Sequence, residues 1–163
     1  MTARQRGFTL TEMMAVIVII GVLAMMAIPT FQERIVREQI IAAIPLADIA
    51  KTPLAAAWTT AHEFPPDNTT TGLPSPDKIV NNYISALEVR DGVINLTFGN
   101  NAHSLIKGKM LSIRPAVVED APVVPVTWVC GTALGPDKMT IRGDNKTTVA
   151  NLYLPMGCKA PGQ

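Results

Sequence analysis

The sequence has few charged residues, few aromatic residues and only two cysteines. Charged residues make up 17% of the 163-residue chain and aromatic residues 5%, while the mean hydropathy is positive at +0.25. Such a balance is unusual for a domain that is fully exposed to water, so part of the chain must be hidden from solvent. The length suits one ordinary domain with a helical extension.

The net charge is also small, at +1. Removal of residues 1–7 would take away two arginines and no acid, which changes the charge from +1 to −1. Strong non-specific binding to DNA or RNA relies on an excess of positive charge. The charge therefore does not support nucleic acid as a partner, although seven basic residues could cluster in the folded chain: Lys107, Lys109, Arg114, Lys138, Arg142, Lys146 and Lys159.

Recognisable catalytic and cofactor-binding motifs are missing from the sequence. It contains no G-x-x-x-x-G-K-[ST], G-x-G-x-x-G or G-x-S-x-G motif. His62 and His103 belong to no zinc or triad pattern, and we expect both at the surface. The stretches DNTTTG and GDNKTT lack the spacing of a calcium loop and are typical of turns. We therefore predict no enzymatic activity, no cofactor and no metal site.

The two cysteines, Cys130 and Cys158, are too far apart for a CxxC redox pair and lack the further ligands of a zinc knuckle. A single structural disulfide is the natural interpretation. It would place this part of the chain in an oxidising compartment outside the cytoplasm. Two unrelated buried thiols are the alternative, because buried cysteine is common.

A long apolar run, MMAVIVIIGVLAMMAI, occupies residues 13–28 and contains no charged or strongly polar side chain. Its apolar character extends back to Phe8, so residues 8–28 are long enough to span a bilayer as a helix. Arg4 and Arg6 precede the run. By the positive-inside rule they keep the start of the chain in the cytoplasm and direct the remainder outward, in agreement with a disulfide there.

A cleaved signal peptide and a permanent anchor are simpler explanations of this segment. A signal peptide ends in a small-residue site such as A-x-A, which residues 24–27 match poorly, and the abrupt chemical boundary instead lies at Gly7. Glu12 is costly in a plain anchor unless its carboxylate is protonated, finds a partner or reaches the interface. A cut after Gly7 would place an ammonium group on Phe8, about one helical turn from Glu12.

The residues around Gly7 resemble the prepilin signature of type IV pilins, since positions 6–12 read RGFTLTE and lead directly into the apolar run. The resemblance implies that a prepilin peptidase cuts after Gly7 and methylates the new N-terminus at Phe8. It also implies that Glu12 is the glutamate used in assembly. Two departures are Arg6, where lysine is frequent, and Thr11, where an aliphatic residue is more usual.

The resemblance extends to Gly21 and Pro29, where the family also places a glycine and a proline. Pro29 removes a backbone donor and clashes with the preceding turn, while Gly21 weakens the helix. We therefore expect a kink at these positions. It would be either a passive bend or, as in the family, a segment that unwinds inside the filament.

Beyond the apolar run, helical spacing continues to about residue 58, with kinks expected at Pro45 and Pro53. The apolar positions that carry this spacing are Ile35, Ile40, Ile41 and Ile44. Residues 62–78 are rich in Pro, Thr, Asp and Gly, which predicts a surface loop.

Four short strands are predicted next, at residues 83–90, 93–98, 110–114 and 126–130. In the second, Ile94, Leu96 and Phe98 alternate with polar residues, which predicts a half-buried strand. Asp91-Gly92 is predicted to form a tight turn, and Pro115 to end the third strand. The predicted fold is α+β: a long kinked N-terminal helix packs on an antiparallel sheet of three or four strands, followed by a C-terminal disulfide-bonded loop.

This part of the chain resembles the globular head of a type IV pilin, through Trp-x-Cys at residues 128–130 and Pro-x-x-Cys at residues 155–158. The resemblance implies a disulfide-closed loop exposed on the filament. It divides the chain into a cleaved leader at residues 1–7, a helix at residues 8–60 and a head at residues 61–163. Residues 8–28 would be the membrane and assembly segment.

The resemblance implies a structural subunit of a pilus. Its partners would be identical pilin subunits, the prepilin peptidase, the inner-membrane assembly machinery and the membrane around residues 8–28. The chain would cross the inner membrane once, with its head in the periplasm, and then enter an extracellular filament that serves adhesion, twitching motility or DNA uptake. A minor pilin that binds DNA at the cell surface and a type II secretion pseudopilin are the alternatives.

Overall fold

A computed structural model describes residues 7–162, except for the side chains of residues 27–30. Within them the chain divides into an N-terminal unit that ends at Ile35 and a head unit that begins at Val36. The model contains a long N-terminal helix, an antiparallel sheet and a disulfide near the C-terminus. The predicted α+β fold is thereby confirmed.

The helical region has two parts. Helix α1 spans Leu10–Ala43 and helix α2 spans Asp48–Ala61, with a 3₁₀ turn at Ile44–Ala47 between them. Pro45 lies at the start of this turn, so the interruption predicted there is confirmed. Pro53 lies inside α2 without ending it, and the helix continues past residue 58 to Ala61.

One stripe of the helical region faces the core of the head unit. Its buried residues recur every three or four positions: Val36, Ile40, Ala43, Ala47, Ala50, Leu54 and Trp58. The predicted stripe was therefore partly wrong, because Ile41 is exposed and small alanines take up much of the contact. Alanine permits close approach of a helix to a sheet, which hydrophobicity alone does not reveal.

The sheet of the head unit has four main strands in the order β1-β2-β3-β4, all antiparallel to their neighbours. These strands are β1 (Ile84–Arg90), β2 (Val93–Phe98), β3 (Met110–Val117) and β4 (Thr127–Cys130). Asp91 and Gly92 form the β1–β2 turn with φ values of 48° and 81°. Two successive positive φ values fit a type I′ turn, so the tight turn predicted here is confirmed.

A short fifth strand, β5 (Thr140–Ile141), pairs with the end of β3 and was not predicted. Strand β3 also continues through Pro115, where the sequence predicted a stop. The carbonyl of Pro115 accepts a hydrogen bond from the Arg142 backbone N–H at 2.8 Å, on the edge that β2 has already left. Proline is tolerated because it lies where the pairing with β2 has ended and the short pairing with β5 begins, so the missing N–H removes no bond to β2.

Strand β2 is buried on both faces. Ile94, Leu96 and Phe98 belong to the core, as their alternation predicted. On the opposite face Asn95 is also buried, because residues 143–148 cross over it. Lys146 donates its backbone N–H to Ser112 Oγ at 2.9 Å, and that hydroxyl donates to Asn95 Oδ1 at 2.7 Å. The expectation of a half-buried strand was therefore wrong.

The C-terminal segment is fixed by a disulfide between Cys130 at the end of β4 and Cys158. The pairing predicted from the two cysteines is thereby confirmed. Thr132 donates its backbone N–H to the Cys158 carbonyl at 2.9 Å, which adds a second connection between the two segments. The disulfide and this bond together attach the C-terminal segment to the end of the sheet.

Candidate assembly site

The N-terminal unit has a large apolar surface that nothing within that unit covers. Apolar side chains all around α1 are exposed, from Leu10 to Met26. An 18-residue stretch has a mean hydropathy of 2.5, and none of it is buried. By length and composition it is able to cross a membrane. A helix that is apolar on all sides needs lipid or other helices around it, so this surface is a site of insertion or assembly.

Thr9 and Glu12 close the start of α1 by binding to each other. The Thr9 backbone N–H and hydroxyl both donate to Glu12 Oε2, at 2.8 and 2.9 Å. In return, the Glu12 backbone N–H donates to the Thr9 hydroxyl at 3.3 Å. This reciprocal arrangement is a capping box, which satisfies donors that the first helical turn leaves without partners.

The role of Thr9 was not predicted, although the spacing T-x-x-E is visible in the sequence. The sequence predicts that the Glu12 carboxylate needs a partner, and part of that partner is Thr9. Both hydrogen bonds from Thr9 use the same carboxylate oxygen, Oε2. Glu12 can therefore cap its own helix and still offer Oε1 to another donor.

The other predicted residues of the N-terminal region lie close to this cap or within α1. Gly7 and Phe8 precede the helix, and the Phe8 side chain is 83% exposed. Gly21 lies in α1 with open space around the position of an added Cβ. The side chain of Pro29 and residues 1–6 lie outside the described part of the chain. Cleavage after Gly7 and a kink at Gly21 and Pro29 stay predictions.

Both histidines of the chain lie in the head unit. His62 is exposed and ends α2 with a left-handed φ of 56°, and His103 is half-buried. Among residues 7–162, no group of three His, Cys, Asp or Glu side chains is placed to hold a metal ion.

Three of the seven basic residues that could have clustered make contacts inside the head. Arg142 pairs with Glu119, Arg114 donates to the Gly131 carbonyl at 3.1 Å, and Lys107 donates to the Asn100 carbonyl at 3.1 Å. These contacts divide the basic residues among separate local partners. Within residues 36–162, these contacts do not favour a DNA-binding face.

The comparisons with known proteins agree with this geometry. A family described as pilin, a bacterial filament, matches residues 36–159, which is more than half of the chain. A second family, described as the prokaryotic N-terminal methylation motif, matches residues 2–28. The two matches cover the head and the N-terminal segment, respectively.

Individual relatives are similar over nearly the whole chain. A fimbrial protein of Neisseria meningitidis serogroup B is 34% identical over 98% of this chain and 96% of its own length. A type IV major pilin protein PilE1 of Neisseria gonorrhoeae is 33% identical over the same shares. The fimbrial protein EcpC of Eikenella corrodens is 30% identical over 95% and 91%. The chain therefore belongs to the type IV pilin family and is a structural subunit of a pilus, an extracellular filament built from pilin subunits.

Proposed function

We propose that the chain is made as a precursor, cut after Gly7 by a prepilin peptidase, methylated at Phe8, and assembled through residues 8–28 into the core of the filament. The observation that carries this proposal is the apolar and uncovered helix that starts at Leu10, shortly after Gly7. The match of residues 2–28 to an N-terminal methylation motif supports the processing step. No catalytic role is proposed for the chain.

Before assembly, residues 8–28 would hold the chain in the inner membrane. Arg4 and Arg6 favour a cytoplasmic start, and the Cys130–Cys158 disulfide favours a head in the periplasm. We propose with this topology a division into a leader at residues 1–7, a helix at residues 8–60 and a head at residues 61–163. The assembly machinery of the inner membrane would then transfer the helix from lipid to neighbouring helices.

Glu12 would guide this transfer through its free carboxylate oxygen. Once Phe8 is the first residue, its ammonium group carries a positive charge into the apolar filament core, where an unpaired charge is costly. Glu12 Oε1 can accept a hydrogen bond from that ammonium while Oε2 keeps the capping box with Thr9. A neighbouring subunit displaced along the filament axis would then be selected by charge pairing as well as by apolar packing.

Cleavage is tested by mass spectrometry of the chain from cells that assemble it. We expect an N-terminal peptide that begins with methylated Phe8. Gly7→Val should leave residues 1–7 attached, because the added side chain occupies the residue at the cut. Gly157→Ala is the matched control, since Gly157 also has open space around its Cβ position. An intact Met1, or a cut near residue 27, in the unmodified chain would overturn the proposal.

The variants Glu12→Gln and Thr9→Ala distinguish the two roles of Glu12, which are pairing with an ammonium group and capping helix α1. Glutamine also serves at the third position of a capping box, so Glu12→Gln removes the charge and preserves the cap. If Glu12 pairs with an ammonium group, Glu12→Gln reduces the sheared filament fraction while cleavage continues. If capping is the only role, Glu12→Gln assembles normally and Thr9→Ala is the defective variant.

A further inference from the structure

Residues 149–160, which we call the closing segment, are packed onto the head by contacts other than the disulfide. Leu154 is fully buried, at 0% exposure, and Val149 is 5% exposed. Both belong to the hydrophobic core of the head unit. Because Leu154 lies only four residues before Cys158, its burial fixes the chain close to that cysteine.

Hydrogen bonds hold the closing segment on two sides. The Arg37 guanidinium, in α1, donates to the Leu152 carbonyl at 3.0 Å. Thr132 donates both its backbone N–H and its hydroxyl to the Cys158 carbonyl, at 2.9 and 3.3 Å. Since Thr132 is two residues after Cys130, these bonds by themselves hold Cys158 beside Cys130.

The chain between the two cysteines is also attached at intermediate points. Strand β5 pairs with β3. The backbone N–H of Lys146 donates to Ser112 Oγ at 2.9 Å, and that of Thr148 donates to the Met110 carbonyl at 2.8 Å. Joining residues 28 positions apart costs conformational entropy in a flexible chain. These contacts supply the ordering, so the two sulfur atoms can meet before a bond joins them.

The two cysteines differ in their access to solvent. Cys158 is 3% exposed, whereas Cys130 is only partly buried. The rate of thiol–disulfide exchange depends on access to the thiol that reacts first. A reagent in solution therefore reaches Cys130 more readily than Cys158.

We propose that the head folds before its disulfide forms, and that oxidation starts at Cys130. The Cys130 thiolate attacks one sulfur of a small disulfide oxidant, which forms a mixed disulfide and releases one thiolate. The Cys158 thiolate then attacks the Cys130 sulfur, which closes the internal disulfide and releases the second thiolate. Two cysteine thiols are thereby oxidised, their protons pass through solvent to the released thiolates, and one oxidant disulfide becomes two thiols.

The closing segment acts in the second step. It holds Cys158 in position, so that this cysteine reacts as an intramolecular reagent at a high effective concentration. Both steps concern the head alone, so they are separate from leader cleavage and filament assembly.

Access is tested with the full-length chain in detergent, carrying either Cys158→Ser or Cys130→Ser. Each variant is reduced, treated with glutathione disulfide, quenched with acid and measured by mass spectrometry. When folded, the chain with Cys158→Ser should form its mixed disulfide at least about tenfold faster than the chain with Cys130→Ser. In concentrated urea the two rates should agree to within about twofold, because unfolding exposes both thiols.

Docking is tested in the reduced chain that retains both cysteines. We expect its near-ultraviolet circular dichroism to match that of the oxidised chain. Leu154→Ala loosens the closing segment and should slow conversion of the mixed disulfide to the internal disulfide at least about tenfold. Leu152→Ala is the matched control, since Leu152 is 50% exposed in the same segment and the bond from Arg37 reaches only its backbone. Leu154→Val should slow the same step less, and it replaces Leu154→Ala if that variant does not fold.

The proposal is overturned if the reduced chain lacks the near-ultraviolet signal and gains it only on oxidation, because the disulfide would then be needed for folding. It is also overturned if Leu152→Ala and the Leu154 variants close the bond at the same rate. Equal reaction of the Cys130→Ser and Cys158→Ser variants in the folded state would contradict the entry at Cys130. Leader cleavage and assembly are measured at other residues, so none of these outcomes bears on the proposed function.

Discussion

Asn68 connects the loop after α2 to the edge strand β1, and its replacement should weaken the head unit considerably. The side chain is 4% exposed. Its Nδ2 donates to the carbonyls of Pro74 at 3.0 Å and Leu87 at 2.9 Å, and its Oδ1 accepts from the Val89 backbone N–H at 2.6 Å. The amide thus replaces the neighbouring strand that the edge of β1 lacks at this point.

Asn68→Ala removes these three hydrogen bonds and leaves the β1 edge groups of Leu87 and Val89 without partners. Each buried polar group left unsatisfied costs about 1 to 3 kcal/mol, so the free energy of unfolding should fall by about 2 to 5 kcal/mol. Asn68→Asp should be at least as damaging at neutral pH, because a carboxylate oxygen would face two carbonyl oxygens. Its stability should improve as the pH is lowered, since a protonated carboxyl regains one donor.

The assay is urea unfolding of the full-length chain in detergent, followed by near-ultraviolet circular dichroism. Thr69→Ala is the matched control, because Thr69 is exposed in the same loop and its change should stay within about 0.5 kcal/mol. If Asn68→Ala were as stable as Thr69→Ala, the three hydrogen bonds would not hold the loop on β1, and the argument would be refuted.

Three further changes test other parts of the head. Gly143→Ala should lower the free energy of unfolding by several kcal/mol, because the added Cβ would lie 2.2 Å from a side-chain carbon. Gly72 has the same φ of 79° but open space around its Cβ position, so Gly72→Ala should cost only about 1 to 2 kcal/mol of backbone strain. Replacing Cys130 and Cys158 together by serine opens a link between residues 28 positions apart and should lower the free energy of unfolding by about 3 to 4 kcal/mol. The backbone N–H and the hydroxyl of Thr70 donate hydrogen bonds to Asp67 and hold the pKa of its carboxyl below the ordinary value. The stability that these bonds add is present above the pKa of the unfolded chain, and it is lost as the pH falls through the pKa of the folded chain.

The measurements for these changes are urea unfolding for the glycine and cysteine variants and an NMR titration of the carboxyl carbon for Asp67. Equal stability of Gly143→Ala and Gly72→Ala would show that the close contact at Gly143 relaxes without cost. A disulfide-free chain as stable as the oxidised one would contradict the loop-closure argument. A titration of Asp67 at or above the ordinary value for aspartate would mean that the hydrogen bonds to Thr70 do not persist in solution.

The three N-x-T triplets show why a local motif is insufficient to predict a modification site. Asn68 and Asn95 are buried in the folded head, and the Asn145 amide donates to the Gly131 carbonyl at 2.9 Å. The triplets carry no prediction when read from the sequence alone. Burial and hydrogen bonding give each of these asparagines a structural role that depends on residues distant in the chain.

Local chemistry was sufficient for the features that lie within a few adjacent residues. The apolar run, the boundary at Gly7, the Asp91-Gly92 turn and the alternation along β2 all depend on near neighbours, so the sequence alone determined the N-terminal segment, the strands of the main sheet and the membership of the family. The T-x-x-E cap at Thr9 is equally local, because its two residues are three positions apart in the sequence.

Only the tertiary structure decided the features that join distant segments. Strand β3 passes through Pro115 because β2 has already ended on the edge that the missing N–H faces. Asn95 is buried because residues 143–148 fold across the outer face of the sheet. The physical reason is that burial and hydrogen-bond satisfaction depend on which surfaces meet, and residue spacing along the chain does not contain that information.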